Sequence, residues 1–375
     1  MSRKVGAAGM INNRNTGPTP LPPAVLTAMA QQPLSHRSNL FRETFSDLTT
    51  QLAKLVNAPE PALLLSCSGT GGLEASITSF VSTESRILVL SAGNYGDLLA
   101  CIAGRFTQFV ETMRFAPGET FDLTALRVRL MHANYDAVLL THSESSTGIY
   151  HPIPLVIALI KEHSDALILV DVVSSLGVAP IDMAEWGADV MVGATQKGLM
   201  APAGMAVVYL SERSRRIIEQ STINERDYMH LRSWLEASKQ HSVPYTPAVN
   251  VFQGLATAVS LIFAEGLSTR YQRHQDAAAR CRTFFADRDN VRCFAVPEYA
   301  GVSLTALYLS DELSASAIKN CLEREHRVLV STGLGPLSER VIRVGHMGYF
   351  TLEEVDDALQ AIAQVIEMGG CGYGD

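Results

Sequence analysis

The chain has 375 residues, 47% hydrophobic and 18% charged, with a formal net charge of −8. That length allows a large core and two domains, and the acidic balance argues against a general binder of nucleic acid or anionic membrane. No apolar run approaches the ~20 residues of a membrane helix, and the opening Met1-Ser2-Arg3-Lys4 lacks a secretory h-region, so a cytoplasmic protein is expected. Six cysteines show neither CxxC pairs nor zinc-ligand spacing, which predicts reduced thiols and no metal.

In chain order, the first ~20 residues are rich in Gly, Asn, Thr and Pro and read as an extended arm. Short apolar runs then recur with helical stretches between them: Ala62–Leu65, Ile87–Leu90, Ala137–Leu140, Ala166–Val170, Val190–Gly193 and Ala206–Leu210. Runs apolar on both faces and separated by helices predict a mostly parallel sheet in an α/β layered fold. Residues 211–243 turn polar and charged, as surface helices and a loop would. A helical pattern from Val251 to about Arg282 predicts one long spine. Strands at Val302–Leu309, Val328–Val330 and Val341–Val344 suggest a smaller α+β domain. The expected division is an arm at 1–20, a large domain at 21–250 and a small domain at 251–375.

Ligands of parallel sheets gather at the carboxyl ends of the strands, and the polar residues of interest follow the apolar runs. Ser66-Cys67-Ser68-Gly69-Thr70-Gly71-Gly72 opens a helix. It reads either as a glycine turn with an N-cap or as a phosphate cradle of free N–H groups and hydroxyls at Ser68 and Thr70. A dinucleotide site is disfavoured, because the spacing is not G-x-G-x-x-G. Tyr95, in Gly93-Asn94-Tyr95-Gly96, is a packing aromatic or a platform for a cofactor ring. Thr141-His142-Ser143-Glu144-Ser145-Ser146-Thr147-Gly148 is dense in polar groups that need partners beside a buried strand.

Asp171 closes the Ala166–Val170 run, and Lys197 follows Val190-Met191-Val192-Gly193-Ala194-Thr195-Gln196. An acid and an amine at the ends of two such strands can hold pyridoxal phosphate. The amine bonds the aldehyde, while the acid keeps a proton on the pyridine nitrogen. Arg343 interrupts the apolar strand Val341-Ile342-Arg343-Val344-Gly345. Such a charge is costly unless paired, so it is either a structural salt bridge or a bidentate clamp on a carboxylate.

Taken together these segments resemble class V aminotransferases of pyridoxal-phosphate fold type I, in the alanine–glyoxylate and serine–pyruvate branch. The likeness runs through Thr16-Gly17-Pro18-Thr19-Pro20, His36-Arg37, Ser68-Gly69-Thr70-Gly71, Thr141–Gly148, Asp171-Val172-Val173-Ser174-Ser175, Gln196-Lys197, Pro244-Tyr245-Thr246-Pro247 and Gly333-Leu334-Gly335-Pro336 with Arg343. It implies that Lys197 is the Schiff-base lysine and Asp171 the partner of the ring nitrogen. Ser68, Gly69, Thr70 and Gln196 would bind phosphate. Tyr95 would stack on the ring, Val173 pack on its other face and Ser145 lie near its phenolic oxygen. Thr246 would reach the neighbouring subunit's phosphate, which implies a homodimer with shared sites. Arg343 would bind the substrate carboxylate and Gly17 line its pocket.

The implied reaction is a ping-pong transfer of an amino group from a small amino acid, alanine- or serine-like, to glyoxylate or pyruvate. The alternative is a lyase, desulfurase or aminophosphonate-specific enzyme of the same fold. A desulfurase needs a cysteine on a mobile loop, whereas Cys321 falls in a helical pattern.

Overall fold

The computed structural model describes residues 11–221 and 228–370. Residues 1–10 of the expected arm, 222–227 of the polar segment and the tail at 371–375 lie outside the described residues. The centre is a seven-stranded sheet. Its strands are β1 (Leu63–Leu65), β2 (Ile87–Ser91), β3 (Val110–Arg114), β4 (Ala137–Thr141), β5 (Leu167–Asp171), β6 (Val190–Ala194) and β7 (Ala206–Leu210). Their order is β1-β7-β6-β5-β4-β2-β3. Only β7 runs antiparallel to its neighbours. Every residue of β2, β4, β5 and β6 is buried, which is why these strands stand out as uninterrupted apolar runs.

The second sheet has four antiparallel strands, β8 (Val291–Cys293), β9 (Leu304–Leu309), β10 (Ser331–Thr332) and β11 (Val341–Gly345), in the order β8-β9-β11-β10. The helix Leu352–Glu367 covers it, closed at its start by a capping box between Thr351 and Glu354. The arm is extended where described. Asn12–Asn13 pairs in parallel with Val328–Leu329, so that expected strand joins the arm and not the four-stranded sheet.

Three further departures have physical causes. Strand β3 was not anticipated, because its polar residues Glu111, Thr112 and Arg114 break the apolar signal of a sheet edge. The single spine is two helices, α3 (Val249–Glu265) and α4 (Leu267–Phe285), bent by 89°. Gly266 between them holds φ +82°, a region that favours glycine. Cys321 is disulfide-bonded while Cys67, Cys101, Cys281 and Cys293 are free thiols, which corrects the expectation of reduced thiols throughout.

Helix α3 buries Phe252, Leu255, Val259 and Ile262 in the core of the seven-stranded sheet. Cys281 and Phe285 of α4 sit in the core of the four-stranded sheet. Among the described residues no single helix is long and apolar enough to cross a membrane.

Candidate active site

The strand register sets the acid. Asp171 is the last residue of β5, level with Thr141 on β4 and Val192 on β6. Its side chain is buried, and Oδ1 accepts from the Val173 N–H at 2.8 Å. Burial pushes its pKa up from 3.8 to about 7. Nearby Glu144 adds to the rise, while the Val173 N–H and Lys197 oppose it.

Lys197 lies three residues beyond the end of β6, in a loop closed by Met200 N–H to the Lys197 carbonyl at 3.0 Å and Ala201 N–H to the Thr195 carbonyl at 3.1 Å. The arm crosses over it. Nζ donates to the Thr16 carbonyl at 2.5 Å, Thr19 Oγ1 donates to the Lys197 carbonyl at 2.9 Å, and Thr19 N–H donates to the Gln196 carbonyl at 3.0 Å. Gly17, at φ +114°, is where the arm comes closest. A Cβ there would lie 2.7 Å from Lys197 Cδ and 2.8 Å from Cε. Burial, reinforced by the Arg343 charge, lowers the Lys197 pKa from 10.5 to about 8.

Arg343 enters from the other sheet, on β11. Its Nε donates to the Thr332 carbonyl at 2.8 Å and Nη1 to the Ser145 carbonyl at 3.1 Å. The guanidinium is therefore aimed by two carbonyls on separate elements. Burial lowers its pKa, while the adjacent Tyr95 side chain and Glu144 hold the charge in place. The salt-bridge alternative does not hold among the described residues. Arg343 has no carboxylate within salt-bridge distance among the described residues, and its fork keeps N–H groups to spare.

Ser68 caps helix α1 (Gly69–Phe80), its side chain accepting from the Gly71 N–H at 3.2 Å. The first N–H groups of that helix have no intrahelical carbonyl. Gly69 packs against Val173 and Ala194, 3.0 Å from where its Cβ would be. Gln196 contributes Oε1, which is buried with no hydrogen-bond partner, so it lacks the donor such a group ordinarily has. Free N–H groups, a buried amine and a buried acid suit the phosphate, aldehyde and ring nitrogen of pyridoxal phosphate.

Tyr95, at the start of α2 (Asn94–Ala103), is half-buried and turned toward Arg343. Ser145 is buried and meets Arg343 through its carbonyl. Thr246 is exposed on a segment docked by the Ala248 N–H donating to Ser66 Oγ at 3.1 Å. Among the described residues no hydrogen bond joins it to Lys197 or Asp171.

Glu144 escaped the reading of the sequence. It is fully buried, and its carboxylate accepts from the N–H groups of Tyr95, Gly96 and Ser146 and from Ser146 Oγ. A lone acid among hydroxyls after a buried strand was the available signal. The Thr16 carbonyl could not be read, since a backbone acceptor leaves no trace in residue type.

The family profile described as Aminotransferase class-V matches residues 11–358. A relative from Paracoccus denitrificans, named L-aspartate–glyoxylate aminotransferase, is 30% identical, spanning 89% of this chain and 86% of that protein. The protein named soluble hydrogenase, small subunit, from Synechococcus is also 30% identical, spanning 94% of this chain and 92% of its own. The crystal structure of alanine–glyoxylate aminotransferase from Nostoc superposes with a TM-score of 0.89 at 29% identity, covering 98% of both chains.

The layered sheet with an amine and an acid at its carboxyl edge is that of a fold type I pyridoxal-phosphate enzyme. Within that class the chain belongs to the class V aminotransferases, and it is a transaminase.

Proposed function

We propose that the chain transfers an amino group from a small amino acid, alanine- or serine-like, to a 2-oxo acid such as glyoxylate or pyruvate, in a ping-pong reaction and as a cytoplasmic homodimer. One observation carries the reading. Lys197, Asp171 and Arg343 are all buried, and Lys197 is close enough to feel both the other charges. The acceptor is supported by glyoxylate in the names of the Paracoccus and Nostoc proteins, whose donors differ. The exposure of Thr246 supports a role toward the partner subunit.

When bound, pyridoxal phosphate supplies an aldehyde that condenses with amines and a ring that spreads the electron pair left by a departing proton. Ser68, Gly69, Thr70 and Gln196 would hold its phosphate together with the partner subunit's Thr246. Tyr95 and Val173 would flank the ring, and Ser145 would face the phenolic oxygen. Asp171 would keep the proton on the ring nitrogen. A Lys197 amine with a pKa of about 8 is half neutral near that pH, so Nζ is able to take the proton from the donor's Cα. Arg343 grips the donor's carboxylate and sets the Cα–H bond toward Nζ, with Gly17 leaving room beside the lysine. The division of the chain, expected at 250/251, we place at the Gly266 turn, because α3 packs in the first core and α4 in the second.

The test uses cofactor-loaded protein with each of glycine, alanine, serine and aminoethylphosphonate. Without acceptor, a true donor should release one equivalent of its oxo product (an oxo acid from the amino acids, an aldehyde from aminoethylphosphonate) per subunit and stop. Adding glyoxylate or pyruvate should restart turnover. Continued turnover without acceptor would instead establish the lyase or desulfurase alternative. Borohydride reduction should leave the label on the Lys197 peptide; a label elsewhere would overturn the assignment.

A further inference from the structure

Arg270, in the first turn of α4, is the largest fully buried side chain among the described residues. Its Nε donates to the Gly177 carbonyl at 2.7 Å, Nη2 to the Gly198 carbonyl and Nη1 to Glu265 Oε2 at 2.8 Å. Gly177 closes the turn that starts at Asp171, and Gly198 follows Lys197 directly. The two loops are in close contact. A Cβ at Gly198 would lie 2.3 Å from the Leu176 carbonyl oxygen, and one at Gly177 would lie 3.1 Å from the Leu199 side chain.

One turn further along the helix, the His274 Nδ1–H donates to the Arg270 carbonyl at 2.7 Å, and Nε2 accepts from the Gly348 N–H at 3.2 Å. Gly348 rests against Thr19 and the Lys197 carbonyl. One helix end thus fastens the acid's loop, the amine's loop and the strip of chain that covers them.

A buried guanidinium is expensive to desolvate, and apolar packing of similar volume commonly serves stability as well. What an apolar side chain cannot do is bond two carbonyls from one planar fork. We propose that Arg270 is a positioning residue that locks the Asp171 and Lys197 loops together, and so fixes the separation of the acid and the amine. This rests on the reading of Lys197 as the cofactor lysine. With the lock released, the two loops move independently and water reaches Nζ, which is faced by Asp171 and Arg343. The amine then holds its proton more tightly.

The experiment reads the amine in cofactor-free protein, by acetic anhydride labelling of Lys197 from pH 6 to 11 with peptide mapping. The parent midpoint should fall near 8. In Arg270→Met, which keeps volume without donors, the midpoint should rise by about one pH unit or more. Arg270→Lys, able to reach one carbonyl, should fall between. In loaded enzyme kcat should drop on the order of tenfold in Arg270→Met while KM for the donor stays nearly constant.

Glu265→Gln leaves both carbonyl bonds in place, so its midpoint should match the parent even where its melting temperature falls. It also carries the test, with Arg270→Lys, if Arg270→Met does not fold. An unchanged midpoint in the folded Arg270 variants overturns the proposal. So does an equal shift in Glu265→Gln, which would trace the effect to charge balance. Failure of the cofactor-lysine reading is separately visible, as borohydride label on another residue of the parent.

Discussion

Asp171 and Lys197 are each held in a state that water would not favour. An acid whose pKa is raised by folding, here from 3.8 to about 7, binds its proton more tightly in the folded chain. Its ionisation therefore opposes folding as pH climbs through that window, and the full cost applies above pH 7. The difference corresponds to roughly 4 kcal/mol. In cofactor-free protein Asp171→Asn should accordingly melt higher than the parent at pH 8, with the gap closing toward pH 4. Its transaminase activity should fall by ~100-fold or more because the ring nitrogen loses its acid. An equal melting difference at both pH values would show that burial does not penalise this carboxylate. Arg343 carries a second residue-scale prediction. Two of its donors are committed to the Thr332 and Ser145 carbonyls, and lysine can reproduce neither that fork nor a bidentate grip. Arg343→Lys should raise KM for carboxylate donors ~10–100-fold with a smaller change in kcat, measured by steady-state kinetics. An unchanged KM would remove Arg343 from the substrate site. These three residues were legible because each is a charge at the end or in the middle of an apolar run. Arg270 was not, since within the helical pattern of α4 its buried side chain reads like any polar residue on a solvated face.

Between residue and fold, the start of α2 explains how the site's two walls meet. Its N-cap, Gly93, offers no side chain. The free N–H groups of Tyr95 and Gly96 are instead taken by Glu144, which also binds Ser146 through both backbone and hydroxyl. One carboxylate thus caps a helix from another segment and ties Tyr95 to the loop that holds Ser145. Glu144→Gln must turn an amide NH₂ toward one pair of those donors. A buried mismatch of that kind costs about 1–3 kcal/mol. The variant should melt several degrees lower, with a smaller proportional loss in kcat; an unchanged melting temperature would show that the carboxylate is not needed as a cap. The sequence revealed elements in proportion to their burial on both faces. Strands β2, β4, β5 and β6 were visible as apolar runs. The edge strand β3 and the two-residue strand Asn12–Asn13, which pairs with the expected strand at Val328–Leu329, carry too little apolar pattern to show. Gly266 was in view but uninterpreted, because a glycine inside helical periodicity looks the same whether the helix continues or turns by 89°.

At the scale of the molecule, the site draws on the arm and both sheets, and the proposed homodimer would add one group from the partner subunit. Lys197 and Asp171 come from the seven-stranded sheet, Arg343 from the four-stranded sheet and the Thr16 carbonyl from the arm. Thr246, read as a phosphate ligand, is exposed. The proposed two-fold dimer, in which each chain lends Thr246 to the other site, makes a prediction that activity measured on exchanged dimers tests. Lys197→Ala removes the amine, so its homodimer should retain less than ~0.1% of parental activity. Thr246→Glu would place a negative charge against the phosphate and should weaken cofactor binding strongly at both sites of its own homodimer. Mixed and re-formed from dilute denaturant, the two inactive variants give heterodimers in which one site carries both defects. The other pairs an intact Lys197 with the partner subunit's intact Thr246. Activity should therefore return, approaching about one quarter of parental after random reassortment, because half the dimers are mixed and each holds one working site. If the mixture stays as inactive as its parts while sedimentation shows exchanged dimers, Thr246 serves its own chain, and the shared-site dimer is wrong.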